Sequence, residues 1–404
     1  MKERQKENVA AMPINIVAEL SGTLAASSQA VLPSYDTIRK PLQRVARQAL
    51  PQDPINLEGY EVPQMMQSVG DELFYQETLV VGGQKALIFA TNAQLRLFFR
   101  AEQWFADGTF KCTPLLFNQL YIFHAKCFDE ILPLVYVLCT AKTEALYAAM
   151  LRWLFEAAER LHLSLRGSRK SLSIDFEMAM KNAAQSVEGF EISVIGCYFH
   201  WCQCHWRKIQ KLQLQPLYME NEELRVAAKS MSALAFVHPN DVEDAYRELR
   251  AGSPPNLLPL LDYFEKTYIG RTEYRQANND NGRVVLRRHV IPPRFEVSMW
   301  NVFHRTIDRR ARTNNAVESR HCQLIKILGR HRGLHRFIGR LAKQVALMNV
   351  RIEQLRAGAA AKEPTPLQKQ RSARLFTLVQ QYEQRRNQPL EFLHSVAHSI
   401  QYLD

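Results

Sequence analysis

The sequence lacks the features of membrane-bound and secreted proteins. It contains no run of eighteen apolar residues, so no membrane-spanning helix is expected. Its opening stretch, MKERQKENVAAMP, carries charges where a secretory signal peptide needs apolar residues. The seven cysteines are odd in number and scattered, which argues against a disulfide framework and favours a reducing compartment. Because 47% of the residues are apolar, we expect a soluble, intracellular, globular protein.

Positive charge is the most informative property of the composition. The chain has 52 Lys and Arg residues against 40 Asp and Glu residues, a net charge of +12. Much of this excess lies in residues 305–356, where thirteen basic residues accompany three acidic ones, a net +10. Such a segment is typical of a protein that binds a polyanion, most often nucleic acid, although a solvated helical face explains the charge equally well.

The chain is predicted to consist of five segments with different character. Residues 1–55 are expected to be peripheral, and residues 56–212 contain the predicted strands of a catalytic core. Residues 213–299 form a mostly helical insertion, residues 300–356 complete the core with basic helices, and residues 357–404 form a helical tail.

Within residues 90–212, the hydrophobic pattern predicts an α/β (α+β) fold. The predicted strands are one that ends at Asp107, then 120–127, 131–141, 171–175 and 190–197. The predicted helices are 91–100, a long helix capped by Thr143, a short helix after Asp175, and 201–212. The first three strands can pair as a meander and the later ones need crossover helices, which predicts a mixed sheet flanked by helices.

Two aspartates lie at the ends of predicted strands. Asp107 precedes Gly108, and Asp175 ends the strand 171–175. Carboxylates at strand ends are held firmly and can point into a shared cleft, as metal-dependent phosphoryl chemistry requires. Considered alone, Asp107-Gly108 is also a common turn signal and Asp175 could serve as a helix N-cap, so both interpretations stay open at this point.

Several short motifs occur in a fixed order along the chain. They are ADGTFK (106–111) followed by Pro114, Phe117 and Gln119, IDFEMAM (174–180), GCYFH (196–200), Trp300-Asn301, and RTNNAVESRH (312–321). In combination, these motifs resemble the MULE (Mutator-like element) transposase domain, a member of the DDE transposase superfamily. The resemblance covers roughly residues 90–325.

The resemblance implies an RNase H-like core with a mostly helical insertion between the second and third acidic residues. The three catalytic acids of the pattern fall on Asp107, Asp175 and Glu318. They are expected to bind two Mg²⁺ (or Mn²⁺) ions and to catalyse cleavage and strand transfer of double-stranded DNA. A homodimer or larger assembly is implied, and the DNA substrate implies a nuclear location. Independently of the resemblance, Glu318 lies in a predicted helix between Arg312 and Arg320, whose charges would keep it ionised.

A cysteine–histidine cluster follows the second aspartate. Its members are Cys197, His200, Cys202, Cys204 and His205. Cys197 and His200 match the C-x-x-H signature of this transposase group, and we expect them to support the catalytic cleft. Zinc is an alternative that the sequence does not favour, because the two separated ligand pairs of a structural zinc site are missing.

The predicted DNA-binding residues belong to the basic segment: Arg309, Arg310, Arg312, Arg320, Lys326, Arg330, Arg332, Arg336 and Arg340. Related animal proteins often carry an N-terminal FLYWCH-type zinc finger, which is not expected here because residues 1–55 contain no cysteine. The sequence thus predicts a DDE-type DNA transposase or a recently domesticated copy. The alternative is a catalytically inactive, transposon-derived protein that binds DNA or chromatin.

Overall fold

The chain folds into two compact units. Unit 1 comprises Met1–Lys170, Met178–Ile192 and Ala316–Ala361, and unit 2 comprises Ser171–Glu177, Ser193–Asn315 and Lys362–Asp404. The computed structural model describes residues 1–3, 17, 19, 33–48, 50–165, 170–189, 191–278, 284–312, 315–329, 333–384 and 388–400. In these ranges, no helix combines the length and the apolar character needed to cross a membrane.

The strands form one large sheet and two hairpins. As the sequence predicted, a mixed sheet, here of seven strands, is flanked by helices; β1-β2 and β10-β11 are separate two-stranded sheets. In chain order the described strands are β1 (Ser68–Val69), β2 (Glu72–Leu73), β3 (Tyr75–Val81), β4 (Gln84–Phe89), β5 (Gln103–Thr109), β6 (Gln119–Cys127), β7 (Glu130–Cys139), β8 (Ser171–Ile174), β9 (Ser193–Gly196), β10 (Arg271–Asn278) and β11 (Val284–Ile291).

The α-helices range from one turn to more than six turns. In chain order those described are α1 (Tyr35–Gln48), α2 (Asn92–Arg100), α3 (Glu144–Arg160), α4 (Met178–Ser186), α5 (Tyr198–Lys211), α6 (Gln215–Glu220), α7 (Glu222–Ala233), α8 (Val242–Ala251), α9 (Leu258–Phe264), α10 (Val297–Trp300), α11 (Phe303–Ile307), α12 (Asn315–Leu328), α13 (Leu334–Arg356), α14 (Pro366–Gln384) and α15 (Pro389–Ala397).

Unit 1 is built around five antiparallel strands in the order β3-β4-β7-β6-β5. Strands β6 and β7 are buried along almost their whole length, which explains why their sequences are continuously apolar rather than alternating. Helix α3 packs against β3 and β4. Its first turn is capped as predicted, because the Thr143 side chain accepts a hydrogen bond from the Leu146 N–H.

One face of this antiparallel sheet is covered by the C-terminal helices of unit 1. Ile122 and Leu138 of the sheet belong to a buried cluster that also contains Leu324 and Leu328 of α12. Helix α13 contributes further residues to the same cluster, including Phe337 and Ile338. The basic segment of the sequence therefore contains two amphipathic helices whose apolar sides belong to the core.

Unit 2 combines a parallel strand pair with a helical body. Strands β8 and β9 pair in parallel, with Ile174 opposite Gly196, and α5 begins directly after β9. The core of this unit is aromatic: the rings of Trp201 and Trp300 stack with centroids 4.4 Å apart. Both indoles are fully buried, and helices α7 and α15 pack against each other elsewhere in the unit.

Four details differ from the sequence-based expectation. Strand β5 does not end at Asp107 but continues to Thr109, because Gly108 and Thr109 still pair with β6. The stretch before residue 90 contains the four strands β1 to β4, which were not predicted. The predicted helical insertion also holds the hairpin β10–β11, and the tail consists of two helices because Pro389 begins a new one.

Candidate active site

Asp107 lies inside a strand, on a defined face of the sheet. Its Cα is paired with that of Ile122, and directly opposite residues of an antiparallel pair project from the same face. Ile122 belongs to the buried cluster that contains Leu324 and Leu328 of α12. Asp107 therefore lies on the sheet face that α12 covers. Only 8% of the Asp107 surface is exposed, and its Oδ1 accepts a hydrogen bond of 2.8 Å from the Gly108 N–H.

Gly108, next to Asp107, leaves space for the Gln119 side chain of β6. A Cβ at this position would lie 2.5 Å from Oε1 of Gln119, a fully buried side chain. Gln119 in turn donates a hydrogen bond of 2.7 Å from Nε2 to the Tyr147 hydroxyl on α3. The glycine beside Asp107 thus leaves space for a buried polar link between β6 and α3.

Glu318 lies in the first half of α12, which is the helix that the sequence predicted for it. Its side chain lies outside the described part of the structure, as does that of Arg320. Unit 1 therefore contains Asp107 on one sheet face and, on a helix that covers this face, the residue predicted to be the third acid.

Asp175 belongs to unit 2 and directly follows β8. The residue is half-buried, and the strand end before it is tied by a 2.9 Å hydrogen bond from the Cys197 N–H to the Ile174 carbonyl. The next residue, Phe176, packs edge-on against Phe295 at 5.2 Å and lies 5.8 Å from the Trp201 ring. A Cβ on Gly196, the last residue of β9, would lie 2.6 Å from Phe176 Cζ, so this position requires glycine.

A polar face of α5 lies near Asp175. His200, Cys204 and Arg207 are spaced at i, i+4 and i+7, which places them on one side of the helix. Burial raises the pKa of the Cys204 thiol to about 11; the charge of Arg207 lowers it and that of Asp175 raises it. Burial and the charge of Arg207 lower the pKa of His200 to about 4, so this imidazole is neutral at pH 7.

Cys204 and Arg207 lie on the helix near the second aspartate but belong to no motif of the sequence. Cys197 and His200, which match the C-x-x-H motif, both lie where α5 begins. The helical period of α5 was the signal that could have identified Cys204 and Arg207, since both follow His200 on the same helical face.

The remaining members of the cysteine–histidine cluster have separate structural settings. Cys202 is buried with hydrogen bonds to Tyr198 and Ser232, and burial raises its pKa to about 12. The Nδ1 atom of His205 lies 2.7 Å from the Ser232 hydroxyl, and its ring packs against Trp201. Across the residues that the structure describes, no group of three or more His, Cys, Asp or Glu side chains could hold a metal ion.

Several arginines of the basic segment in unit 2 make contacts within the protein. Both terminal nitrogens of Arg305 donate to the Gly196 carbonyl at 3.2 Å. One of them, Nη2, also donates to the Asn301 carbonyl at 3.1 Å. Burial lowers the Arg305 pKa to about 10. The remaining three are predicted DNA-binding residues: Arg309 lies over the Phe376 ring, Arg310 lies 3.7 Å from an Asp308 carboxylate oxygen, and Arg312 donates to the Ser372 hydroxyl at 3.0 Å.

In unit 1, the basic residues differ in exposure. Lys326 is exposed on α12, whereas Arg336 and Arg340 are half-buried on α13. Arg340 donates a 2.8 Å hydrogen bond to the Leu328 carbonyl, and burial lowers its pKa. The predicted DNA-binding residues Arg330 and Arg332 lie outside the described residues.

Comparison with known proteins provides no relative for this chain. No family model matches it, and neither a curated protein nor a solved structure matches it.

Proposed function

We propose that this protein is a DDE-type DNA transposase, or a recently domesticated copy, in which Asp107, Asp175 and Glu318 bind the catalytic metal ions. The observation that carries the proposal is the position of Asp107. Its sheet face is the one covered by α12, which is the helix that bears Glu318. Two acids far apart in sequence thus belong to one compact unit.

The succession of elements supports an RNase H-like core. Three antiparallel strands, β5 to β7, are followed by α3, β8, α4, β9 and α5, and the last two strands are parallel to each other. This order is compatible with the proposed RNase H-like domain. Helices α6 to α9 and the hairpin β10–β11 then form the insertion before Glu318.

The donor set suits hard divalent cations. Carboxylate oxygens are the ligands that Mg²⁺ and Mn²⁺ prefer, and an acid within a buried strand is positioned more precisely than one on a loop. Such ions supply activation of the attacking water or 3′-hydroxyl and stabilisation of the leaving 3′-oxygen. Asp107, Asp175 and Glu318 would hold these ions.

We assign supporting roles to Cys197 and His200. Cys197 fixes the end of β8 through its backbone N–H, and the neutral His200 shares a helical face with Cys204 near Asp175. The exposed basic residues Arg310 and Lys326 are proposed DNA contacts. Because two DNA ends must be joined in one event, we further propose a dimer or larger assembly acting in the nucleus.

The proposal is tested by nicking of supercoiled plasmid with Mn²⁺. We expect Asp107→Asn and Glu318→Gln to abolish nicking, because each removes a charged metal ligand while retaining side-chain volume. The matched control is Asp129→Asn in the β6–β7 turn, where an exposed aspartate has a φ of 60° that asparagine also tolerates.

The control variant should nick at the wild-type rate. Nicking that survives in both Asp107→Asn and Glu318→Gln would contradict the proposed catalytic role. The protein would then be better described as a transposon-derived DNA-binding protein without catalysis.

A further inference from the structure

The hairpin β10–β11 is a long two-stranded ribbon within unit 2. Its strands have eight residues each and pair from Arg271 opposite Ile291 to Asn278 opposite Val284. At roughly 3.3 Å per residue the ribbon is about 26 Å long. It belongs to a sheet of its own with no third described strand. An isolated two-stranded ribbon is only marginally stable, so we expect this ribbon to pack against a partner.

The side chains of the ribbon that the structure describes include large exposed apolar groups. Tyr274 and Leu286 are each 66% exposed and Val290 is 58% exposed. Side chains an even number of residues apart project from the same face of a strand. Leu286 and Val290 are four residues apart, so they share one face of β11. An aromatic and two aliphatic groups exposed on one ribbon indicate a binding surface rather than a solvated edge.

The charge of the ribbon identifies the kind of partner. Its two strands contain four arginines, at positions 271, 275, 287 and 288, against the single acid Glu273. The backbone register places Arg275 directly opposite Arg287. An excess of positive charge on one element is typical of a surface that binds a polyanion.

The base of the ribbon is firmly attached to the core of unit 2. Gly270 adopts a φ of +85°, and a Cβ there would lie 2.8 Å from the Ile291 carbonyl oxygen. The preceding residues include the buried Tyr268, and the Phe295 N–H beyond β11 donates to the Thr267 carbonyl at 3.0 Å. Both strands of the ribbon are thus fixed where they leave the core of unit 2, which orients the ribbon for recognition of a rigid partner.

We infer that the ribbon β10–β11 is a DNA-binding element that docks on double-stranded DNA. The major groove is about 12 Å wide and admits a two-stranded β-ribbon. The arginines would neutralise phosphates, while the exposed tyrosine and aliphatic groups would contact sugars and base edges. That the polyanion is DNA rests on the proposed function. A second copy of this chain fits less well, because two such ribbons would bring eight arginines together.

The test is binding of the full-length protein to a fluorescent random-sequence 25-base-pair duplex, with EDTA present, over a series of salt concentrations. The triple variant Arg275→Gln, Arg287→Gln, Arg288→Gln should bind at least about tenfold more weakly. The slope of log K against log salt should be shallower by about 0.9 for each phosphate that the variant no longer neutralises. The control Lys211→Gln, Arg247→Gln, Lys369→Gln removes the same charge from exposed helical positions of unit 2.

The control should keep the wild-type slope, and so should the variant with lysine at the three ribbon positions, which retains the charges. Equal slopes for the ribbon variant and the control would overturn the inference. A ribbon variant that loses oligomer mass but binds DNA normally would also overturn it and would make the ribbon an interface between copies. Because no cleavage is measured, a failed nicking assay would leave this result unaffected.

Discussion

Asp107 and Asp175 are expected to share one task, but the regions that hold them are constructed differently. Asp107 lies within a long antiparallel sheet whose neighbours are aliphatic and whose strands are seven to ten residues long. Asp175 follows a four-residue parallel strand, the next residue, Phe176, packs near the Trp201 ring, and the half-buried Arg305 binds the end of the paired strand β9.

This difference shows how the two positions are stabilised. In unit 1, the backbone ladder fixes the strand that carries Asp107, so single side chains matter less. In unit 2, the end of β9 depends on Gly196 and on the Arg305 guanidinium that binds its carbonyl group. We therefore expect single substitutions near Asp175 to have larger effects than equivalent ones near Asp107.

The largest effect is expected for Arg305→Ala. The substitution removes three hydrogen bonds from a charged donor and leaves two carbonyl groups without this partner, which should cost about 3 kcal/mol. Urea denaturation measures the loss. The control Arg310→Ala, at an exposed position with a 3.7 Å ion pair, should change stability by less than about 0.5 kcal/mol. A similar loss for the two variants would contradict the structural role of Arg305.

The second prediction compares the loss of stability caused by a glycine-to-alanine substitution near Asp175 with the loss caused by one next to Asp107. Gly196→Ala places a Cβ 2.6 Å from the Phe176 ring and should destabilise the protein by about 2 kcal/mol. Gly108→Ala meets the end of the Gln119 side chain, which can rotate, and should cost about 1 kcal/mol. Thermal unfolding of the two variants gives the order.

The origin of the larger loss can be checked with a second substitution. Phe176→Leu in the Gly196→Ala background should recover part of the stability, because the smaller side chain removes the steric overlap. If Gly108→Ala proved the more harmful substitution, the proposed difference between the two regions would be wrong.

The third effect is a pH dependence that originates in unit 2. Burial lowers the His205 pKa to about 3, whereas an unfolded histidine titrates near 6.5. Between these two pH values the folded state therefore binds fewer protons than the unfolded state. The stability that neutral His205 contributes is fully present above pH 6.5 and declines as the pH falls toward 3. The slope is at most about 1.4 kcal/mol per pH unit for this group.

Denaturation between pH 7 and pH 5 measures this slope. His205→Gln keeps a hydrogen-bonding group for Ser232 but cannot titrate. The plot of unfolding free energy against pH should therefore become less steep, by the slope that corresponds to about one bound proton. His200, whose pKa is lowered to about 4, should account for a further part of the slope. An unchanged pH dependence in His205→Gln would contradict the buried neutral state.

Much of the fold could be predicted because its signals are local. Strands β6 and β7 are continuously apolar, and α3 combines a capping threonine with a helical period. Strand β10 escaped prediction because it consists mostly of charged and polar residues. In β11 the run Arg287-Arg288-His289 interrupts the apolar residues, so this strand shows no apolar alternation either. Strand β3 is only half-buried and shows the same weakness of signal.

For the candidate site, the sequence offers residues, but it does not show the environment of each residue in the fold. A motif pointed to Asp107, Asp175 and Glu318, whereas the sheet face shared by Asp107 and α12 depends on strand register. A count of basic residues also could not separate Arg305, which binds backbone carbonyl groups, from exposed residues such as Lys326. Register and burial are tertiary properties, so composition does not encode them directly.

The most direct test of the central claim exchanges the ligand atom at Asp107. The variant Asp107→Cys replaces a carboxylate, which suits Mg²⁺, with a thiolate, which Mn²⁺ tolerates better. Plasmid nicking should disappear in Mg²⁺ and partly return in Mn²⁺, since only a residue that binds the metal changes the metal preference. Nicking by Asp107→Cys in Mg²⁺ at the wild-type rate would show that Asp107 is not a metal ligand.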